Sequence, residues 1–121
     1  MALDDLKAEI LRYSTENGYP AESIEQLVCD CGSEEFTLFS DDTEGGAVAV
    51  CCKCEMNLSI YDSADFMEDV GQNVCTCEGE KLLIMTGIAF HENTKDAQWI
   101  YVGAKCTACG LAGVFVDWEE L

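Results

Sequence analysis

Eight of the nine cysteines in this chain of 121 residues form two similar patterns. Each pattern is a Cys-x-Cys pair followed by a Cys-x-x-Cys pair, and the members are Cys29, Cys31, Cys51 and Cys54 in one and Cys75, Cys77, Cys106 and Cys109 in the other. Four thiolates can bind one tetrahedral metal ion, and Zn–S bonds of about 2.3 Å place neighbouring sulfurs roughly 3.8 Å apart. Close pairs of cysteines from two chain segments satisfy that geometry. The spacing therefore predicts two metal sites, and we expect a structural Zn²⁺ in each.

Cys52 is one cysteine more than two such sites need. Alignment of the two patterns places Cys51 and Cys54 opposite the last two cysteines of the second pattern and leaves Cys52 opposite Thr107. We interpret Cys52 as a small, half-buried side chain rather than a redox sensor. The alternative is that Cys52 replaces Cys51 as a ligand and forms a second Cys-x-Cys pair with Cys54.

The segments between and after the cysteine pairs predict β-strands. In each pattern two apolar runs flank a polar turn, and a third run follows the second cysteine pair. The runs are 35–39, 47–50 and 57–63 in the first pattern and 81–85, 99–102 and 112–118 in the second. The common order of cysteines and strands indicates two similar units in tandem.

This order of knuckle, hairpin, knuckle and strand resembles the zinc-ribbon fold group over about residues 27–62 and 73–118. Zinc ribbons commonly carry two Cys-x-x-Cys knuckles with a glycine after the second cysteine, as at Gly110. The first knuckle of each unit departs from that pattern because it is shortened, with Gly32 or Gly79 close behind it. The resemblance implies two three-stranded antiparallel zinc ribbons, each too small to fold without its metal.

The residues before the first cysteine predict helices. Leu3, Leu6, Ile10 and Leu11 recur at helical spacing, which favours an amphipathic helix over about 3–16. A short second helix is expected over about 21–27. The apolar stripe of the first helix is interpreted as a cover for one face of the ribbons, and docking into a partner is the alternative.

The predicted class is a small metal-stabilised α+β protein with short N-terminal helices and two tandem zinc ribbons. Its expected parts are a helical segment at 1–28, ribbons at 29–62 and 73–121, and a short helical connector at 63–72. The connector is short and apolar, so the ribbons are expected to pack on one another. The contacts expected between them are made by residues such as Trp99, Tyr101 and Trp118.

The charge of the chain separates it from zinc ribbons that bind nucleic acid. Asp and Glu number 24 against 6 Lys and Arg, a formal net charge of −18. Phosphate contacts need basic residues, so direct binding of DNA or RNA is not expected.

The acids can serve solubility alone, or they can steer a basic protein partner, such as a nuclease or a nucleic-acid-binding protein. In size and charge, though in no motif, the chain is similar to small acidic immunity proteins, which act as inhibitors, and to DNA mimics. The expected partner contacts are Asp41, Asp42, Glu44, Asp117, Glu119 and Glu120.

Enzyme activity is not expected, because a site of four thiolates leaves no open position for water and His91 is the only histidine. The first residues carry no basic and apolar leader, and no apolar run is long enough for a membrane span. We therefore expect a cytoplasmic, non-catalytic binding protein rather than a secreted disulfide framework. Two alternatives stay open: an electron-transfer protein with rubredoxin-like iron sites, and a zinc store or switch that responds to thiol oxidation.

Overall fold

The computed structural model describes residues 3–40, 46–60, 71–73, 77, 79–92 and 96–119. Within them the chain forms one helix and eight strands, and all eight strands belong to one antiparallel sheet. In chain order the elements are α1 (Asp4–Asn17), β1 (Ser23–Gln26), β2 (Glu35–Ser40), β3 (Ala47–Cys51), β4 (Asn57–Ile60), β5 (Gly71–Asn73), β6 (Leu82–Phe90), β7 (Ala97–Cys106) and β8 (Ala112–Glu119). The protein is therefore mostly β, and the expected α+β class with two separate ribbons is wrong.

The strands predicted from the sequence are present, but they are joined across the middle of the chain. The strand order is β4-β3-β2-β6-β7-β8, and β2 pairs with β6 where Phe36 faces Leu82. A separate three-stranded ribbon would leave the N–H and C=O groups of β2 and β6 exposed on an edge. Pairing these two strands gives some of those groups hydrogen-bond partners, which is the physical reason for one sheet instead of two.

Helix α1 begins at Asp4 and ends at Asn17, close to the predicted range. Leu6, Ile10 and Ser14 are buried at intervals of four residues, and the helix packs against β6, β7 and β8. Gly18 ends it with φ 90°, and its N–H donates to the carbonyl oxygen of Thr15 at 3.1 Å. The helix covers a sheet face as expected. In the part of the chain that the structure describes, no helix is long and apolar enough to cross a membrane.

The second helix expected at 21–27 is wrong, because Ser23–Gln26 form strand β1. A helix of one or two turns gains few hydrogen bonds for its costly nucleus. The edge of β6 instead offers backbone partners: the N–H of Leu27 donates to the carbonyl oxygen of Ile84 at 2.8 Å. The connector expected at 63–72 lies largely outside the described residues, and 71–73 form β5.

The two faces of β6 and β7 contribute to different apolar clusters. The sheet has two halves, β2–β4 and β6–β8. The larger cluster takes buried side chains from both of them, including Phe36 and Ile100. The smaller one lies under α1 and contains Tyr101, with Trp99 packed beside it. Trp118 packs against the larger cluster. The expectation that Trp99 and Tyr101 join the two ribbons is therefore wrong, since both pack on the helix side of the sheet.

Candidate metal centres

The four sulfurs of the first cysteine pattern lie together. The Sγ atoms of Cys29, Cys31, Cys51 and Cys54 all lie within 4.8 Å of one another. The Cys29–Cys54 and Cys31–Cys51 sulfur distances are 3.4 and 3.6 Å. These values are close to the roughly 3.8 Å between sulfurs that share a tetrahedral zinc ion. This group, which we call the first centre, could hold a metal ion.

Two tight turns place these sulfurs. In the first turn the N–H of Cys29 donates to the carbonyl oxygen of Ser33 at 2.9 Å, and Gly32 has φ 93°. In the second turn, at the end of β3, the N–H of Glu55 donates to the carbonyl oxygen of Cys51 at 3.0 Å. Glu55 itself has φ 63°, a left-handed backbone conformation that residues other than glycine rarely adopt. Both turns therefore depend on a residue with positive φ directly after the second cysteine of the pair.

The backbone and burial give the sulfurs of the first centre different acidities. The pKa of Cys51 is lowered to about 6, chiefly by the backbone N–H of Cys54, with that of Lys53 contributing; both donate to its sulfur at 3.4 Å. For Cys29, a backbone hydrogen bond from Cys31 lowers the pKa, but burial and contacts with the other sulfurs outweigh it and raise the pKa to about 12. Four neighbouring thiolates repel one another. A divalent cation held by the four sulfurs would remove that repulsion and displace the remaining protons.

The second centre is a group of three described sulfurs. The Sγ atoms of Cys77, Cys106 and Cys109 lie within 4.8 Å of one another, and those of Cys77 and Cys106 are 3.5 Å apart. Cys75, the fourth predicted ligand, lies outside the described residues. Gly110 has φ 81°, and its N–H donates to the carbonyl oxygen of Cys106 at 2.9 Å, as Glu55 does for Cys51. This group too could hold a metal ion.

Gly79 lies directly against the second centre. A Cβ atom on this residue would stand 2.7 Å from the sulfur of Cys106 and 3.3 Å from that of Cys77. Carbon and other heavy atoms without a bond between them are most stable at about 3.5–4.0 Å. Only glycine therefore fits at this position without moving the sulfurs. The sequence indicates this contact only by the position of Gly79, two residues after Cys77 of the shortened knuckle.

Cys52 does not belong to the first centre, whose members at this turn are Cys51 and Cys54. Its side chain is half-buried, and burial raises the pKa of its thiol. Among the eight cysteines that the structure describes there is no disulfide.

The predicted partner-contact residues are only partly described. Asp41, Asp42, Glu44 and Glu120 lie outside the described residues. Glu119 is exposed at the end of β8. Asp117 is half-buried and accepts two hydrogen bonds.

Asp117 ties α1 to the sheet, a role that the sequence analysis missed. Its Oδ1 accepts from the hydroxyl of Tyr13 at 2.9 Å, and its Oδ2 accepts from Nε1 of Trp99 at 2.8 Å. Tyr19 stacks on Trp99 with ring centroids 5.0 Å apart, and the hydroxyl of Tyr101 donates to the carbonyl oxygen of Tyr19 at 2.8 Å. Tyr13 is 104 positions away from Asp117, so no local spacing indicates the contact.

The described surface leaves few cations for an anionic ligand. Arg12 pairs with Glu9 at 2.7 Å and with Glu16 at 3.2 Å, and Lys105 pairs with Asp5 at 2.9 Å. Two of the six basic residues of the chain are thus already paired with carboxylates.

Three comparisons were made, with protein-family models, with curated proteins and with solved structures, and none of them gave a match.

Proposed function

We propose that this chain is a non-catalytic metal protein in which two structural Zn²⁺ ions, one in each centre, support a sheet that presents an acidic surface to a basic protein partner. The observation that carries the proposal is the grouping of seven described cysteine sulfurs into two clusters, each within 4.8 Å. Sulfur-only ligand sets are typical of structural zinc sites of the zinc-ribbon kind. Cys75 completes the second set in this proposal.

Zinc is proposed as the metal because four-cysteine sets are typical structural zinc sites, and iron is the alternative because the same ligands can hold it. Metal analysis of protein purified without chelator tests this directly. We expect about two equivalents of zinc per chain. Iron in that amount, with a red colour, would replace the zinc proposal by the electron-transfer alternative, and less than about 1.5 equivalents of any metal would refute both.

The proposal of a non-catalytic role rests on the chemistry near the sulfurs. A zinc ion with four thiolate ligands has no open position for water or substrate. His91 is exposed where β6 ends, and its N–H donates to the carbonyl oxygen of Asp96 at 2.9 Å. It belongs to neither sulfur group. The described residues therefore offer no histidine beside a metal to act as an acid or base.

The choice of a basic protein partner rests on charge. A net charge of −18 repels nucleic acid and attracts a cationic surface. Binding of this kind gains speed from long-range attraction and loses it when salt screens exposed charges over about 8–10 Å. A pull-down from native lysate, washed at low and then at high salt, should release the partner at high salt. Retention of DNA or RNA in a filter assay at physiological salt would contradict the proposal.

The segment with Asp41, Asp42 and Glu44, which the sequence predicts to be a turn, is the proposed contact region. Neutralising all three with amides should slow association with the captured partner. A matched control makes the same charge change at three exposed acids elsewhere, which are Asp4, Glu25 and Glu92. Equal slowing by both triple variants would show that net charge alone acts and that the turn is no specific contact.

A further inference from the structure

The halves of the sheet are related by an approximate two-fold axis at the β2–β6 pair. Phe36 and Leu82 each follow the last cysteine of their Cys-x-Cys pair by five residues, and they face each other. The short strands follow the same relationship. Strand β1, which precedes Cys29, pairs with β6, and strand β5, which precedes Cys75, pairs with β2. The strand that leads into each Cys-x-Cys pair is therefore bound to the other half of the sheet.

Matching side chains repeat this symmetry. Nε2 of Gln26 in β1 donates to Glu34 at 3.0 Å, and Nε2 of Gln72 in β5 donates to Glu80 at 3.2 Å. Gln26 faces Met85 of β6, and Gln72 faces Phe39 of β2, which holds the equivalent place in its own half. Two independent sets of contacts thus obey one symmetry.

The metal-bearing turns meet the same junction. The N–H of Cys52, in the first centre's turn, donates to the carbonyl oxygen of Glu35 at 3.0 Å. The N–H of Thr107, in the second centre's turn, donates to the carbonyl oxygen of Lys81 at 3.1 Å. Glu35 begins the β2–β6 pairing by facing Leu83. Each centre is therefore linked by a backbone hydrogen bond to the residues where the two halves join.

We propose that the exchanged strands couple the two centres, so that the chain binds its two metal ions cooperatively. This inference rests on the proposed function, because it concerns the same two centres. An ion in the second centre fixes the Cys106–Cys109 turn and the start of β6. Strand β6 then holds β1 through the bond from Leu27 to Ile84, which places Cys29 for the first ion. Strand β5 pairs with β2 in the same way, so an ion in the first centre would support β5, the strand that precedes Cys75.

The change in affinity that the coupling causes has an expected range, and it must be the same for both centres. Coupling between sites commonly changes affinity by about 5–150-fold, and each site changes the other by the same factor. Loss of the first centre should therefore weaken the second by a factor in that range, and loss of the second should weaken the first equally. Two independent centres would show a factor of one.

Full-length protein is titrated with Zn²⁺ under reducing conditions, with a competing chelator to set the free metal, and native mass spectrometry counts chains with zero, one and two ions. The same titration is made on Cys54→Ser and on Cys109→Ser, each of which retains one centre. The matched control is Cys52→Ser, which removes a cysteine outside both groups and should still bind two ions. Co²⁺ absorption from thiolate ligation reports independently on the centre that each variant keeps.

Cooperative binding predicts that chains with one ion stay well below half of the protein at half-saturation. It also predicts that the product of the two single-centre affinities falls about 5–150-fold or more below the overall two-ion affinity of the unchanged chain. Coupling is also indicated if each variant binds its remaining ion more weakly than the unchanged chain does, by the same factor in both, while the Cys52→Ser control binds normally. Equality of the product and the overall affinity would overturn the coupling while leaving the proposed metal function intact. Failure of the unchanged chain to bind any ion would instead overturn the proposed function.

Discussion

Replacement of Gly79 by alanine should weaken metal binding at the second centre without touching any ligand. The new Cβ would stand 2.7 Å from the sulfur of Cys106, about 1 Å inside a relaxed contact. It would also stand 3.3 Å from the sulfur of Cys77, so neither sulfur can move away freely while both bind one ion. Forcing a methyl group into a filled space commonly costs about 1–3 kcal/mol. If the metal-free chain relaxes that strain, the affinity of this centre should fall by about 5–150-fold, since 1.4 kcal/mol is a factor of ten.

The assay is Co²⁺ or Zn²⁺ competition on Gly79→Ala with Cys54→Ser as a common background, so that only the second centre is titrated. Gly113→Ala is the matched control, because a Cβ at Gly113 meets no atom within 4 Å. The control should bind as the background does. Binding by Gly79→Ala within twofold of the control would refute the reasoning, since it would mean that the sulfurs do not approach this residue in the loaded protein.

Three further changes test the fold around the centres. Asp117→Asn should destabilise the metal-loaded protein by about 1–2 kcal/mol in urea unfolding, because an amide cannot accept from both Tyr13 and Trp99; a change below about 0.5 kcal/mol would contradict this role. Glu55→Gly should stabilise the protein by up to about 1 kcal/mol, because φ is 63° at this residue; a loss in the same assay would show that the Glu55 side chain makes a compensating contact. Gly103→Ala should lower the melting temperature measured by circular dichroism, because its Cβ would stand 2.7 Å from Ile10 of α1; an unchanged temperature would show that the helix can shift at no cost.

Local spacing was enough to predict the parts of the structure that are made by neighbouring residues. The Cys51–Cys54 turn within the β3–β4 hairpin, the pairing of β2 with β3 and the end of α1 all depend on residues that are close together in the sequence. These features were found because turns and helix ends have short-range signatures.

The features that were missed depend on partners far along the chain. Ser23–Gln26 became a strand because β6 supplies its hydrogen-bond partners, and β6 begins more than 50 residues later. The joining of β2 to β6 and the contact of Tyr13 with Asp117 have the same character. No pattern within either segment can report which distant segment will meet it. The resemblance to zinc ribbons predicted each unit separately and therefore predicted two separate ribbons where the strands form one sheet.

The joined sheet changes what the metal ions must contribute. Two ribbons of roughly 45 residues would each lack an adequate core. The larger apolar cluster, however, takes fully buried side chains from both halves, such as Leu38 and Ile84. A core of that origin does not need metal to supply its bulk. Under the proposed function the metal ions would instead stabilise the turns that are linked to the β2–β6 junction, where Glu55 has φ 63° and neighbouring thiolates repel. Metal bound there would stabilise the place where the two halves join, and the exchanged strands β1 and β5 would carry that effect from one centre to the other.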